Sequence, residues 1–257
     1  MPWNPEIYLK FADHRLRPAL DLLGRIDLDR PKIVYDLGCG PGNVTDFLHR
    51  RWPEAKITGI DNSAEMLARA AKDYPHMAWR QQSIAEWRPD QPADLIYSNA
   101  ALQWLDDHPL LFPSLFEALA PGGVLAVQMP HNFAQASHVQ MRHAAEAGPW
   151  ADRLKPLLRA EPVALPQDYW RMLSPLGAEL DIWESEYLHV LEGEDAVLTW
   201  MTGTSLRPLL AALDAAQSEA FIAALRKRLA KAYPRQPNGV TLFPFRRLFL
   251  LARKAIL

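Results

Sequence analysis

Ile33-Val34-Tyr35-Asp36-Leu37-Gly38-Cys39-Gly40-Pro41-Gly42 decides how the rest of the chain is read. Its first five residues are β-branched or apolar around a single acid, the composition of a strand buried on both faces. Three glycines then fall within five residues, where the backbone must turn sharply and stay bare for a ligand to touch. Val44, Phe47 and Leu48 next line one face of a helix reaching about Trp52. Strand, glycine turn and helix in that order open a βαβ unit.

Downstream, the alternation continues. Lys56 to Ile60 is predicted as a strand, and Ser63 to Tyr74 as a helix with Met66, Leu67 and Ala70 inward. Met77 to Gln81 and Asp94 to Ser98 read as further strands. Leu111, Leu115, Phe116 and Leu119 mark a helix that stops at Pro121-Gly122-Gly123, and Val124 to Met129 is again strand. This pattern predicts an α/β fold with a parallel sheet and helices on both faces. Upstream, Ile7, Phe11, Leu16, Leu20 and Leu23 predict amphipathic helix around a break over residues 5 to 24.

Beyond residue 130, helical pieces separated by prolines are expected, including Gln167 to Leu176, followed by a strand over Leu180 to Leu191. Residues 194 to 233 read as helices interrupted at Gly203 and Arg207-Pro208, and Thr241 to Arg253 as a long apolar, aromatic strand. The expected organisation is one domain over 1–257. It has a helical cover (1–29), a ligand-binding core (30–130) and a C-terminal part (131–257) with a helical insertion at about 194–233 over the sheet's ligand end.

Composition narrows the classes. Hydrophobic residues make up 49% and charged residues 23%, enough apolar material for a real core. The formal net charge of -2 supplies no global field for nucleic acid, so none is expected as partner, and an anionic ligand needs local Arg or Lys. The one cysteine excludes an internal disulfide and a cysteine-rich metal site. No apolar run approaches a membrane span and no leader pattern is visible, so a cytoplasmic protein is expected, a monomer or weak homo-oligomer. The 8 histidines show no metal-ligand spacing, and Ser98 and Ser205 lack a nucleophile elbow. Cys39, inside the glycine turn, reads as a small residue that fits.

Asp61 follows Gly40 by 21 residues at the end of the second strand, placed to accept hydrogen bonds from a ribose diol. Two cofactors compete for this geometry. A dinucleotide wants a third glycine at position 43, which is Asn43, and would set its pyrophosphate beside Asp36. A ligand carrying an ammonium group suits Asp36 better.

Asp36-Leu-Gly-Cys-Gly-Pro-Gly42 resembles the first motif of class I S-adenosylmethionine-dependent methyltransferases, and Asp61 matches their ribose-binding acid. Asp94-Leu-Ile-Tyr-Ser-Asn-Ala-Ala-Leu-Gln-Trp-Leu105 is similar to the family's fourth-strand motif, and Leu119-Ala-Pro-Gly-Gly-Val-Leu125 to the loop before its fifth strand. The resemblance implies a Rossmann-like, mostly parallel sheet with the last strand antiparallel, binding S-adenosyl-L-methionine and releasing S-adenosyl-L-homocysteine. It assigns Asp36, Gly38, Gly40, Asp61 and Asn62 to the cofactor; Asn99, Gln103 and Trp104, past a strand's carboxyl end, either join them or pack the loop, and Met66 either covers the adenine or belongs to the core. The family often has an acid after the third strand. Ser83 stands there, which leaves adenine to the Ile84 amide and a weaker Ser83 contact. Tyr8 and Arg15 could close over the cofactor's carboxylate, against the plainer reading of Arg15 as a solvated charge.

A closer resemblance runs nearly end to end, through Trp3-Asn4-Pro5, Leu125-Ala-Val-Gln-Met-Pro130, Leu180-Asp-Ile-Trp183, Leu206-Arg-Pro208 and Arg247-Leu-Phe249. It points to a branch of the family that esterifies one carboxylate of a small tricarboxylate. The forked guanidinium of Arg207 or Arg247 suits such a substrate, and His131 could face it. Arg226, Lys227, Arg228 and Lys231 read instead as the solvated side of a helix. The alternatives are another small-molecule acceptor, including methylation at nitrogen or carbon, and a non-catalytic protein that holds the cofactor as a sensor.

Overall fold

The computed structural model of the protein describes residues 16–256. Tyr8, Arg15 and the start of the expected N-terminal helix lie outside that range. In chain order the helices and strands are α1 (Arg17–Arg25), β1 (Ile33–Leu37), α2 (Asn43–Arg51), β2 (Lys56–Asp61), α3 (Ala64–Asp73), β3 (Ala78–Gln81) and β4 (Ala93–Asn99). Then come α4 (His108–Glu117), β5 (Leu119–Pro130), α5 (Ala136–Glu146), α6 (Ala151–Leu154), α7 (Pro166–Leu173) and β6 (Glu179–Leu191). The chain finishes with α8 (Ala196–Thr202), α9 (Arg207–Ala211), α10 (Ala215–Ala232) and β7 (Thr241–Arg253).

Seven strands form one sheet in the order β3-β2-β1-β4-β5-β7-β6. The β1–β2, β2–β3, β1–β4 and β4–β5 pairs are parallel, and β7 runs antiparallel to β5. From β1 the chain winds outward through β2 and β3, then returns to the other side of β1 for β4 and β5. Right-handed crossovers in opposite directions put α2 and α3 on one face and α4 on the other. The strand order therefore reverses between β1 and β4, and open α/β sheets bind ligands outside the carboxyl ends at such a point.

Val34, Leu37, Ile60, Leu95, Ile96, Val127, Leu250 and Ala252 are buried, as runs of apolar residues in a doubly covered sheet should be. On α1, Ala19, Leu20, Leu22 and Leu23 turn inward. The carbonyls at its C-terminal end are satisfied by the Arg51 guanidinium, which donates to Leu23 O and to Ile26 O, the latter at 2.6 Å. Tyr97 Oη in β4 donates to Ala19 O at 2.8 Å, fixing α1 to the sheet.

One boundary differs from the sequence expectation. Instead of running to Pro121, α4 ends at Glu117, where the Ala118 N–H caps Ser114 and Phe116 carbonyls. Leu119 already pairs with Ala93, and the Pro-Gly-Gly run is absorbed inside β5 as a register shift between Ala93 and Leu95. Glycine and proline broke the regularity of a strand here rather than ending a helix.

The chain divides into two compact units: one comprises the chain up to Pro130, Val163–Ser185 and the chain from Arg247, and the other His131–Pro162 and Glu186–Arg246. The helices expected at 194–233 belong to the second. Its core packs Trp150, Leu154, Leu206, Phe221, Leu225 and Phe243, with Trp150 edge-on to Phe221 at 5.6 Å. The longest of these helices, α10, starts at a capping box in which Asp214 accepts from Gln217 N at 2.8 Å. Phe221, Leu225 and Leu229 recur every four residues along its buried side. Arg207-Pro208, expected as a break, is the first turn of α9, where proline's fixed φ and missing N–H are tolerated.

Leu250, on β7, has no solvent exposure. Leu250→Ala should lower stability by about 2–5 kcal/mol, read from the denaturant midpoint at unchanged m-value.

Candidate active site

The glycine turn between β1 and α2 is fixed from both sides. Gly38 has φ 76°, and a Cβ there would stand 2.1 Å from the Cβ of Ala101, so the turn and the loop after β4 touch with no space between. Gly40 has φ 55°, and nothing lies within 4 Å of a Cβ built on it. Bare backbone therefore faces open space at that residue, the form a ligand cradle needs.

Asp61 holds this turn in place. Its Oδ2 accepts from the Gly40 N–H at 2.9 Å and its Oδ1 from the Ser63 N–H at 2.8 Å. Each oxygen keeps a second acceptor site, and the half-buried side chain can offer these to a diol. Ser63 in turn caps α3 by accepting from Met66 N at 3.3 Å. Met66 itself is half-buried, while Leu67 and Ala70 carry the buried side of α3. Asn62 is exposed, its carbonyl accepting from Gln81 Nε2 at 3.2 Å. Ser83 and Ile84 begin the turn after β3, where their carbonyls accept from Glu86 N and Trp87 N. The Ile84 side chain reaches to 3.6 Å from the Gly38 Cβ position.

Asp36, 2% exposed, accepts from Thr45 Oγ1 at 2.6 Å. Burial pushes its carboxyl up to about 7, against the opposing hydrogen bond from Thr45 and with a smaller contribution from the Asp61 charge. Sequence reasoning passed over Thr45; its only signal was a hydroxyl on the first turn of the helix after the glycines. The Cys39 thiol is pushed up by burial and by the charges of Asp36 and Asp61, which rules it out as a ready nucleophile.

After β4 the chain is bent unusually. Ala100 has φ 53°, a left-handed conformation that costs a non-glycine residue and tends to mark functional loops. Gln103 turns inward and its Nε2 donates to Ala100 O at 2.7 Å, whereas Trp104 is 53% exposed. Two neighbours read together in the sequence thus do different work, one bracing the loop and one presented to solvent. The loop is also held from behind. His108 Nε2–H donates to Leu102 O at 3.0 Å, which leaves Nδ1 to accept from Tyr169 Oη at 2.7 Å. Tyr169 Oη accepts in turn from Ala164 N at 3.2 Å, and burial pushes its phenol up, keeping the proton it donates. No spacing in the sequence announces this pair.

The expected substrate residues divide between the units. Arg247, 5% exposed, lies in the sheet unit and its Nη1 donates to Gln128 Oε1 at 3.4 Å. His131 and Arg207 belong to the other unit. His131 is half-buried just past β5 and its N–H donates to Arg246 O at 2.9 Å, while Arg207 is exposed at the start of α9. Among the described residues no group of three or more His, Cys, Asp or Glu could hold a metal, and no helix is long and apolar enough to cross a membrane.

Because folding raises the Asp36 pKa above its unfolded value of 3.8, the fold favours the protonated acid. Stability is lost as pH rises from about 4 through 7. Asp36→Asn removes that dependence, so the melting temperature of the variant should gain on the parent between pH 5 and pH 8. Thermal unfolding across that range measures it, and parallel curves would remove Asp36 as a strained acid.

Comparison with known proteins agrees with this geometry. Residues 34–123 match the family described as "Methyltransferase domain". The chain is similar to the trans-aconitate 2-methyltransferase of Yersinia pestis (strain Pestoides F), 47% identical over 97% of both chains. It is 49% identical to the enzyme of that name from Streptomyces avermitilis, over 98% of this chain and 97% of that one. Among solved structures, phosphoethanolamine N-methyltransferase 2 of Haemonchus contortus in complex with S-adenosyl-L-methionine shares the fold at a TM-score of 0.55 and 14% identity. That match covers 93% of this chain, which spans about half (52%) of the other. On near-full-length identity approaching one residue in two, the chain belongs to the trans-aconitate 2-methyltransferase family.

Proposed function

We propose that the protein transfers the methyl group of S-adenosyl-L-methionine to one carboxylate of trans-aconitate, giving the monomethyl ester and S-adenosyl-L-homocysteine. The observation that carries the cofactor half is the open backbone at Gly40 tied to the carboxylate of Asp61. The near-full-length relatives named for trans-aconitate carry the acceptor half.

The residues present fit this cofactor. Asp61 offers a ribose diol two acceptor oxygens held by backbone donors. Asp36, buried beneath the turn, is at ease as an anion only beside a cation such as an amino-acid ammonium. Asn99 ends β4, and Gln103 and Trp104 follow it, with Trp104 giving an apolar surface beside the site. Met66, Ser83 and Ile84 stand at the ends of β2 and β3 where an adenine would lie. When bound, the cofactor supplies a methyl carbon already activated by the sulfonium.

The chain then has no proton to move. A carboxylate with an ordinary pKa near 4 is ionised at neutral pH. A bound cofactor would supply both the electrophilic methyl carbon and, in its sulfonium, the leaving group, so an ionised carboxylate oxygen needs no further activation. What the protein contributes is alignment of the three atoms and exclusion of water from the nucleophile. Arg247, Arg207 and His131 are proposed to hold the acceptor's carboxylates, with no general base among them. We read the protein as cytoplasmic, a monomer or weak homo-oligomer, with no nucleic-acid partner.

Asp61→Ala should weaken cofactor binding by roughly 2–4 kcal/mol, since charge-assisted hydrogen bonds to the ligand are lost and the glycine turn is untied. Titration calorimetry with S-adenosyl-L-homocysteine decides it, and unchanged affinity would remove Asp61 from the site.

Mass spectrometry of the product from trans-aconitate should show a single added methyl group as an ester. Single-turnover rates should rise as the acid ionises and then stay flat from about pH 6 to 9. A steep limb near neutrality that vanishes in His131→Ala would sink the base-free mechanism, and no transfer to trans-aconitate would sink the acceptor assignment.

A further inference from the structure

Among the buried polar atoms of the described residues that have no hydrogen-bond partner are Asn99 Oδ1 and Gln128 Nε2, at the carboxyl end of the sheet. They belong to facing residues, because Asn99 on β4 is in register with Gln128 on β5. Gln128 has no solvent exposure, and its Oε1 accepts from the Arg247 guanidinium on β7. A guanidinium has only donors, so this contact settles which end of the amide is which. Gln128 is therefore left with N–H groups, not an oxygen, in need of an acceptor.

The pleat puts four side chains on one face, stepping diagonally across it. Asp36 faces Tyr97, which lies two residues before Asn99, and Arg247 faces Pro130, two residues after Gln128. Laterally paired residues share a face and alternate residues return to it, so Asp36, Asn99, Gln128 and Arg247 all project from the same side. Across β1, β4, β5 and β7 the order is acid, amide, amide, guanidinium, with the two amides level and the acid and guanidinium two residues to either side along the strands. Its free acceptor lies toward the acid and its free donor toward the guanidinium. Such an order asks for a ligand donor, preferably cationic, at Asn99 and a carboxylate at Gln128.

We propose that Gln128 is a substrate-specificity residue, whose Nε2 donates to a carboxylate of the methyl acceptor that Arg247 also holds. This rests on the acceptor being a carboxylic acid, as argued under Proposed function. Asn99 Oδ1, on the other side of the pair, accepts from the cofactor's ammonium. Adjacent strands in register lie about 4.8 Å apart, so methyl donor and acceptor are kept side by side by neighbouring strands. The guanidinium and one amide N–H together hold a planar carboxylate from two directions, which a single charge would leave free to rotate. The sequence carried the residue in Leu125-Ala-Val-Gln-Met-Pro130, where a glutamine amid apolar strand residues is the one polar interruption.

The cofactor has a carboxylate of its own, and the experiment separates the two sources. Gln128→Met keeps the length and removes the donor; Gln128→Glu puts an anion beside Arg247. Each variant is titrated with S-adenosyl-L-homocysteine, and then, saturated with it, with trans-aconitate. The expected result is an acceptor Kd raised about tenfold by Met and about a hundredfold by Glu, with homocysteine-product affinity changed less than about twofold. Unchanged acceptor affinity in the folded variants, or a loss confined to the cofactor product, overturns the proposal. If Gln128→Glu does not fold, Gln128→Met alone decides. Should the parent bind some other di- or tricarboxylate in place of trans-aconitate, the acceptor assignment fails. The same titrations with that acid then still judge Gln128.

Discussion

The carboxylate of Asp61 is the contact on which the site depends. It spans two turns that the chain makes 21 residues apart, closing on the Gly40 N–H with one oxygen and the Ser63 N–H with the other. Backbone donors at a glycine turn would otherwise be satisfied by water and the turn would be free to move. With both oxygens anchored, the ends of β1 and β2 are one rigid rim, supported by the Gly38 and Cys39 N–H groups on Ile60 O. A ligand that meets this acid meets a group already oriented, and loses little of its binding energy to ordering it.

Electrostatics behind the rim is arranged against the empty protein. A buried acid pushed up to about 7 and two amide atoms without partners are costly in the fold alone. The proposed cofactor ammonium and acceptor carboxylate would supply the complementary charges. Asp36 cannot be relieved by water, because it is shut beneath the glycine turn; Thr45 relieves it only in part. On that proposal, local stability is exchanged for selectivity, a common arrangement where binding must distinguish one charge pattern from its mimics.

The fold was legible wherever periodicity changed sharply. β1, β2 and Val124 to Met129 were visible because runs of apolar β-branched residues do not fit a helix surface, while β3 and β7, which carry almost none, were read from their place in the alternation and from a long apolar, aromatic run. The end of α4 was not, because Leu119 continues its apolar spacing and only the pairing with Ala93 reveals it as strand. In the candidate site, the meeting of the glycine turn with Asp61 could be read because their spacing along one βαβ unit is fixed by local geometry. Thr45, Gln128, and the pair His108 and Tyr169 could not, since their meaning comes from register and from residues far away in the chain. Gln103 and Trp104 were read together and proved to face opposite ways, which a single residue of 3₁₀ rotation suffices to do.

The position of β7 has a bearing on how the molecule is made. β5 lies inside the finished sheet, with β4 on one side and β7 on the other. On the ribosome it has its first neighbour almost at once. Its second arrives only when residues 247–253 are synthesised, after the whole of His131–Arg246. Until then a strand of 12 residues presents an open row of N–H and C=O groups and a buried apolar face to its surroundings. Such an edge invites pairing between nascent chains. The final strand thus acts as a seal, and a chain cut short by its last dozen residues would lose protection against aggregation before it lost any residue of the cofactor rim.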